Sequence, residues 1–497
     1  MLHVSEGTPG EVVALVGQPP PATEPSPRAG LLRYLANASS LTAARIAGDG
    51  FSFLVFLVVA RVYGIEGTGH YASAFAWAAF VAVIANPGIS DYGIRECARA
   101  GQGGWRPIFA RLLRLQGLAA AAGVATLAAA LVIAQPPLAV VLVTTGLSVY
   151  LGGFMVSHTL FVPAFAREAM TGPSLAELGC RAAAVAVVLA LALVAREPLE
   201  SALLGFPLAG IAIVALAWRS ARSLGGTDLP AVSRSELLAT AREAWPFAAN
   251  EIVGQAYART GVILLQLVAG AAATGGFATL LKLVEVGTAP LTLAVTAAFP
   301  HLSRAFHEDP PAFRQGALDM LRVVLLLAGC LVMAFCFLVP WLLPVVFGPD
   351  FAALRPELPW IGAYTALQGI EIVYLRLLLA SDPQGVVVGV LVAGTAVSAA
   401  ANLALIPWLG VPGAVAASLV GMLTLVLAYG RALRAVLPLR DQLTVVARFA
   451  ACLAAGYAAG FVSQAEAGPF GAVVLALAVF GAAGLATGFV PRRLRFG

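Results

Sequence analysis

Lys282 and Glu285 stand three residues apart in GGFATLLKLVEVGTAPLTLAV, residues 275–295, and Lys282 is the only lysine in the chain. Three residues is close to one helical turn, so on a helix the two share a face. Such a pair does one of two things. The charges neutralise each other in a packed interface, or they face a wet cavity where the ammonium offers phosphate a compact point charge. An amine, unlike a guanidinium, also gives up a proton when desolvated, which would make the pair a switch. The residues alone leave both readings open.

Other charges sit in equally apolar surroundings. NEIVGQAYART places Glu251, Gln255 and Arg259 at successive steps of four, one polar stripe along a helix. Arg259 lies near mid-span and is a candidate phosphate contact or a buried structural cation. Arg45 and Asp49, again four apart, form a local ion pair or line the inner mouth of a cavity. AYTALQGIEIVYLRLL sets Tyr364, Gln368, Glu371 and Tyr374 on one stripe, and Glu371 has no cation three or four residues away. It is left to pair across helices with Arg45, Arg259 or Lys282. A charge at mid-bilayer costs about 2.5–3.5 kcal/mol, so these residues face a cavity or another helix rather than lipid. The candidate substrate-binding set is therefore Arg45, Asp49, Gln255, Arg259, Lys282, Glu285 and Glu371.

No nucleophile–base pair and no metal-ligand spacing emerges, so neither a catalytic centre nor a cofactor is expected. His158 reads as a buried polar contact, and His301 and His307 fall in a loop. Cys97, Cys180, Cys330, Cys336 and Cys452 include no C-x-x-C pair and read as small buried hydrophobes.

The elements that must carry these residues are membrane helices. The chain is 60% hydrophobic and 11% charged, outside the range of soluble domains. Apolar runs of about 20 residues, enough to cross roughly 30 Å of hydrocarbon, recur throughout. We read fourteen spans, near 38–60, 71–93, 113–134, 138–160, 176–195, 199–218, 244–268, 275–298, 320–341, 358–380, 386–407, 412–431, 443–463 and 469–490. Continuous rather than alternating runs exclude a β-barrel. Asn86-Pro87-Gly88 should break or kink the second span, as a fixed bend or a moving one. Trp105, Trp218, Trp245, Trp341, Trp360 and Trp408 lie near span ends and read as interface anchors.

Residues 1–30 are polar and Pro-rich and read as a disordered cytoplasmic tail, not a signal peptide. Of 30 basic residues, all but Arg61, Arg196, Arg355, Arg259 and Lys282 fall on one side of this topology. The positive-inside rule makes that side cytoplasmic and puts both termini there. The longest outside loop, PWLLPVVFGPDFAALRPELPW, is too short for a folded domain, and no phosphate-binding G-x-x-x-x-G-K-[ST] run occurs. The charge of +5 is thus a topological signal, and nucleic acid is not an expected partner.

The chain divides at 219–246 into halves whose first hairpins match. VVARVYGIEGTGHYASAFAW and LQLVAGAAATGGFATLLKL each run from an apolar helix through a Gly-bearing turn into Gly and an aromatic. The expected organisation is an N-terminal six-helix lobe at 31–218, a linker at 219–243, and a second six-helix lobe at 244–434. Two additional helices and a basic tail at 435–497 follow. Parallel repeats of this kind are a transporter architecture.

The segments ARVYGIEGTGHYASAFAW (60–77), GISDYGIRECAR (88–99), YARTGVILLQLVAG (257–270), AFPHLSRAF (298–306), VFGPDF (346–351) and NLALIPWLGVPGAVAASL (402–419) appear in this order. Together they resemble the oligosaccharide flippases of bacterial polysaccharide assembly. These are the Wzx-type members of the multidrug/oligosaccharidyl-lipid/polysaccharide exporter superfamily. The resemblance covers residues 30–490. It implies an all-α polytopic membrane protein with two six-helix lobes around a central cavity. It also implies an inner-membrane transporter that moves an undecaprenyl-diphosphate-linked glycan to the outer leaflet. Membrane lipids, a glycan polymerase and glycosyltransferases are the implied partners, and the expected state is a monomer. Members often carry an R-x-D pattern in the seventh span. Here Arg259-Thr260-Gly261 has glycine at its end, so an ion-coupling role is not carried over to that position.

Three functional classes compete. A flippase for lipid-linked oligosaccharide needs a large cationic cavity, which Arg259 and Lys282 supply. An exporter of drugs or other amphiphilic cations would favour acidic and aromatic groups instead. A polyprenyl-linked glycosyltransferase or polymerase would need a larger outside loop than the one bearing Asp350, Arg355 and Glu357.

Overall fold

The computed structural model describes residues 27–134, 137–167, 169–225, 229–381 and 384–490. These residues fold into thirteen α-helices. In the first half they are α1 (Pro27–Ala85), α2 (Ile89–Ala134), α3 (Leu138–Phe165), α4 (Thr171–Leu189), α5 (Leu199–Ala202) and α6 (Gly205–Ser223). In the second they are α7 (Arg234–Glu308), α8 (Pro310–Met333), α9 (Val339–Val346), α10 (Leu358–Ala380), α11 (Gln384–Leu409), α12 (Val411–Ala432) and α13 (Leu439–Ala486). Among the described residues, eleven helical segments are long and apolar enough to cross a membrane. The protein is an all-α, multi-pass membrane protein. Helix is the required solution, because backbone groups in hydrocarbon must be satisfied within the segment.

Local sequence sets the boundaries. Ser233 and Glu236 form a reciprocal cap at the start of α7, and Asp309 accepts from Ala312 N ahead of Pro310-Pro311 at the start of α8. Asn86-Pro87-Gly88 separates α1 from α2, as its composition predicts, and Gly88 takes φ 66°. The break is held by side chains: Asn86 Nδ2 donates to Met155 O at 2.6 Å, and Gln116 Nε2 donates to Ala85 O at 2.6 Å. Thr159 Oγ1 in turn donates to Gln116 Oε1 at 2.7 Å. These bonds replace helical ones and fix the bend.

Three long helices are hairpins, each turning at a glycine with positive φ: Gly64 in α1, Gly270 in α7 and Gly468 in α13. The rings of Phe56 and Tyr71 are 6.4 Å apart, whereas straight helix would set them about 22 Å apart. Likewise Cys452 Sγ lies 3.4 Å from Thr487 Oγ1 across α13. In α2, a Cβ placed on Gly93 would lie 2.5 Å from Leu112 Cδ1, so this chain also reverses.

Some expectations change. α1 begins at Pro27, inside the segment read as a disordered tail, and the rest of that tail (1–26) lies outside the described residues. The basic tail at 491–497 also lies outside them. The 219–243 linker is largely helical, since α6 ends at Ser223 and α7 begins at Arg234. The long outside loop is no loop: α9 and a 3-10 helix at Pro349–Glu357 fold it onto the first lobe. Phe347 and Phe351 are buried there, and Phe347 packs edge-on against Phe53 and Phe56 at 6.3 Å. Arg61 donates to Val345 O and Arg355 to Pro340 O, so two of the arginines expected on the outer side satisfy carbonyls of this segment. Trp105, expected at the interface, is 4% exposed and lies under Arg167, 5.0 Å from ring centroid to guanidinium carbon. The other five tryptophans expected there, Trp218, Trp245, Trp341, Trp360 and Trp408, are exposed.

Candidate functional site

The hairpins of α1 and α7 press together at their tips. A Cβ on Gly69 would fall 1.8 Å from Ala271 O, and one on Gly275 would fall 1.9 Å from Ile65 O. Only glycine permits this backbone-on-backbone contact. At the other end of the same helices, a Cβ on Gly88 would fall 2.5 Å from Phe247 Cβ, and Tyr92 donates to Glu243 Oε2 at 2.6 Å. The candidate site lies on the α1 and α7 arms between these contacts.

There Lys282 Nζ donates to both Glu285 oxygens at 3.0 Å and to Ser52 Oγ at 2.9 Å. Its three donors are all used, and the third ties the second lobe to the first. The lysine side chain is 9% exposed and its partner 54%, so the carboxylate opens onto the outside of the packed helices while the ammonium does not. Arg259 sits with its guanidinium carbon 5.2 Å from the Phe75 ring centroid. Its Nε is buried without a hydrogen-bond partner, and Glu285 lies within electrostatic range of it. Arg259, Lys282 and Glu285 of α7 therefore lie near one another and meet Phe75 and Ser52 of α1.

The rest of the predicted set is placed elsewhere. Gln255 and Glu251 turn away from Arg259 and line a cavity of about 240 Å³ in the second lobe with Glu371, Leu375 and Tyr429. The reason is geometric. Each step of four residues advances about 40° around a helix, so the stripe from Glu251 to Arg259 turns through about 80°. Among the described residues Glu371 makes no ion pair with Arg259 or Lys282; Arg376 lies within electrostatic range of it and itself sits over the Phe299 ring. Gln255 Oε1 and Gln368 Oε1 are buried without partners. Asp49 is exposed, and the Arg45 side chain lies outside the described residues.

Gly261, where the resemblance would have an acid, faces Asn402. A Cβ there would meet Asn402 Oδ1 and the Phe277 ring, each at 3.3 Å. Packing against Asn402 thus leaves little room for a carboxylate at this position. His158 is not the plain buried contact expected: its Nε2 lies 2.8 Å from Glu177 Oε1 and it is about one third exposed. The five cysteines are free. Among the described residues, no group of three His, Cys, Asp or Glu side chains is placed to hold a metal ion.

Sequence reasoning missed the first-lobe half of the site. Ser52, Tyr71 and Phe75 look like ordinary span residues, and Arg181 falls among the 25 basic residues on the side read as cytoplasmic. Arg181 in fact lines a cavity with Ser52, Tyr71 and Phe75. Its signal was its place in ELGCRAAAV, about ten residues into α4, too deep for a loop arginine.

The whole chain resembles known transporters in fold. A lipid II flippase, MurJ, in an inward closed conformation matches with a TM-score of 0.70 and 11% identity, over 91% of this chain and 98% of that one. An inward-facing multidrug resistance transporter of the MATE family, in the MOP superfamily, matches with a TM-score of 0.65 and 11% identity, over 78% and 94%. No curated protein matches in sequence. The family described as polysaccharide biosynthesis protein matches residues 34–306, more than half of the chain. The protein belongs to the polysaccharide biosynthesis protein family.

Proposed function

We propose that the protein is a flippase that carries a polyprenyl-diphosphate-linked oligosaccharide from the cytoplasmic to the outer leaflet by alternating access. The observation that carries this reading is Arg259: a half-buried guanidinium held on Phe75, its Nε fully enclosed, and hydrogen-bonded to no described residue. A buried cation without a hydrogen-bonded anion is costly, and a diphosphate would supply the missing charge and acceptors. Lys282 takes a different part. Its donors are committed to Glu285 and Ser52, so it ties the lobes together and reaches substrate only when that tie opens. The sugars would occupy the widened cavity, the polyprenyl tail would stay in lipid, and no bond would be broken. In this reading each arm of the three glycine hairpins crosses the membrane, giving about fourteen crossings, with both termini in the cytoplasm of a bacterial inner membrane.

The second-lobe cavity favours an addition to the reading. Glu251 and Glu371 line it together with Gln255, and no lysine or arginine does. Hard oxygen donors of this kind suit a proton or small monovalent cation, so this cavity is where a driving ion would act. Substrate anions would be repelled from it.

The test uses purified protein in vesicles with a fluorescent polyprenyl-diphosphate oligosaccharide and, separately, a fluorescent phospholipid. Membrane-impermeant quenching should reveal accelerated exchange of the first and not the second. Equal exchange of both, or of neither, sinks the proposal.

A further inference from the structure

A second cavity shares two walls with the Arg259–Lys282 site. It lies within the first lobe, measures about 70 Å³, and is lined by Gly48, Ser52, Tyr71, Phe75, Tyr150 and Arg181 among others. Ser52 is the residue that accepts from Lys282, and Phe75 is the ring beneath Arg259. Arg181 is thus one side chain away from each of the other two cations.

Arg181 is also the least compensated of the three. Its guanidinium carbon lies 4.7 Å from the Phe154 ring centroid, and no hydrogen bond or ion pair joins it to a described residue. The carboxylate one turn earlier, Glu177, is taken by His158 at 2.8 Å. The position is about 15 Å along α4 from Thr171, well inside the apolar part of the helix. A Cβ on Gly48 would stand 3.4 Å from Arg181 Nη1, so the glycine leaves that edge of the guanidinium uncovered. Tyr71, Phe75 and Tyr150 line the cavity and Phe154 flanks the guanidinium, and such apolar surroundings raise the worth of any charge-assisted hydrogen bond formed there.

We infer that the Arg181 cavity is a second subsite of the substrate, one that takes an oxoanion. The volume has room for roughly five waters, which suits a phosphate or carboxylate group. The oxoanion comes either from the diphosphate or from an acidic sugar of the glycan. This rests on the flippase reading and extends it, because a carboxylate ligand would make the protein selective for acidic glycans.

The experiment measures vesicle transport and detergent-phase binding of two fluorescent polyprenyl-diphosphate glycans, one neutral and one carrying a uronic acid. Arg181→Gln, Arg181→Lys, Gly48→Leu and Arg259→Gln are compared at equal protein amount. Arg181→Gln should weaken binding at least about tenfold, the scale of one lost charge-assisted contact. Weakening of both substrates identifies the diphosphate, and Arg181→Lys then restores most binding. Weakening of the acidic substrate alone identifies the carboxylate, and lysine, lacking the planar fork, restores little. Gly48→Leu fills the cavity with the charge retained and should reproduce the glutamine pattern; it decides the matter if Arg181→Gln does not accumulate. If Arg181→Gln and Gly48→Leu leave both substrates within about twofold of wild type while Arg259→Gln lowers transport about tenfold or more, this inference is overturned and the flippase reading stands. If the wild type moves neither substrate, both fall.

Discussion

The hairpin of α1 turns at Gly64 with φ 67° and ψ −166°, and that of α7 turns at Gly270 with φ 82° and ψ −174°. Their tips meet through Gly69 and Gly275, each lying against a carbonyl of the other hairpin. The arms beneath these matching turns differ. Those of α1 present Ser52, Tyr71 and Phe75, whereas those of α7 present Arg259, Lys282 and Glu285. A repeated backbone has kept its turn chemistry and divided the remaining work. One half supplies aromatic surface and a hydroxyl, and the other supplies charge. The difference teaches that the paired glycines belong to closure of the tips, while the asymmetric arms carry the proposed substrate site.

The largest effect should come from breaking what the two hairpins share. Gly275→Ala or Gly69→Ala puts a methyl into a backbone carbonyl, an overlap worth about 3 kcal/mol or more against the closed tips. Transport should be lost, and a cysteine introduced at Ala272 should become more reactive toward an impermeant reagent. Gly270→Ala is the contrasting change. Open space surrounds it, so only the backbone, at φ 82° and ψ −174°, is strained, at about 1–3 kcal/mol. If all three variants behave alike, the tip contact is not what the glycines serve.

Next comes the tie between the arms. Glu285→Gln strands a buried ammonium, while Lys282→Gln strands a carboxylate that is 54% exposed. Membrane abundance should therefore fall more for Glu285→Gln, approaching the roughly 3–5 kcal/mol of a broken buried pair, than for Lys282→Gln. The double variant should recover abundance. Transport recovered with it would mark Lys282 as packing, and transport still absent would mark it as substrate machinery. Quantitative membrane blots beside the vesicle assay separate the two outcomes.

Arg259→Gln should lower transport about tenfold to a hundredfold with abundance within about twofold, since it removes a charge and no existing hydrogen bond. Parallel loss of abundance would instead make Arg259 a structural cation. The smallest change is expected on the α1 side of the same contact. Phe75→Leu keeps the apolar bulk and loses the ring face, an interaction worth about 0.5–2 kcal/mol. Binding of the diphosphate glycan should weaken by about threefold to thirtyfold in a titration. No effect from Phe75→Leu alongside a full effect from Arg259→Gln would show that the ring does not position the guanidinium.

Much of this architecture is legible from local sequence. The caps at Ser233 and Asp309, the Asn86-Pro87-Gly88 break and the glycine-bearing hairpin turns are all short-range signals, and the helices begin, bend and reverse at them. Backbone hydrogen bonds in a bilayer close within a few residues, so the same few residues that carry the signal make the structure. The convergence of Lys282 with Glu285 is legible for the same reason. Three residues on one helix leave no freedom about which face they share.

Which face meets which neighbour is a different kind of question, and only the tertiary structure decided it. A stripe that reads as continuous from Glu251 to Arg259 turns far enough around α7 to serve two cavities, one with Glu371 and one with Phe75. Ser52 joins Lys282 across 230 residues of sequence, and Arg181 enters the same neighbourhood from α4. Asn402 fills the space where an acid at position 261 would stand. None of these contacts has a local signature, because each depends on how two helices rotate about their axes as they pack. That rotation is set by small residues and aromatic rings far apart in the chain, acting together.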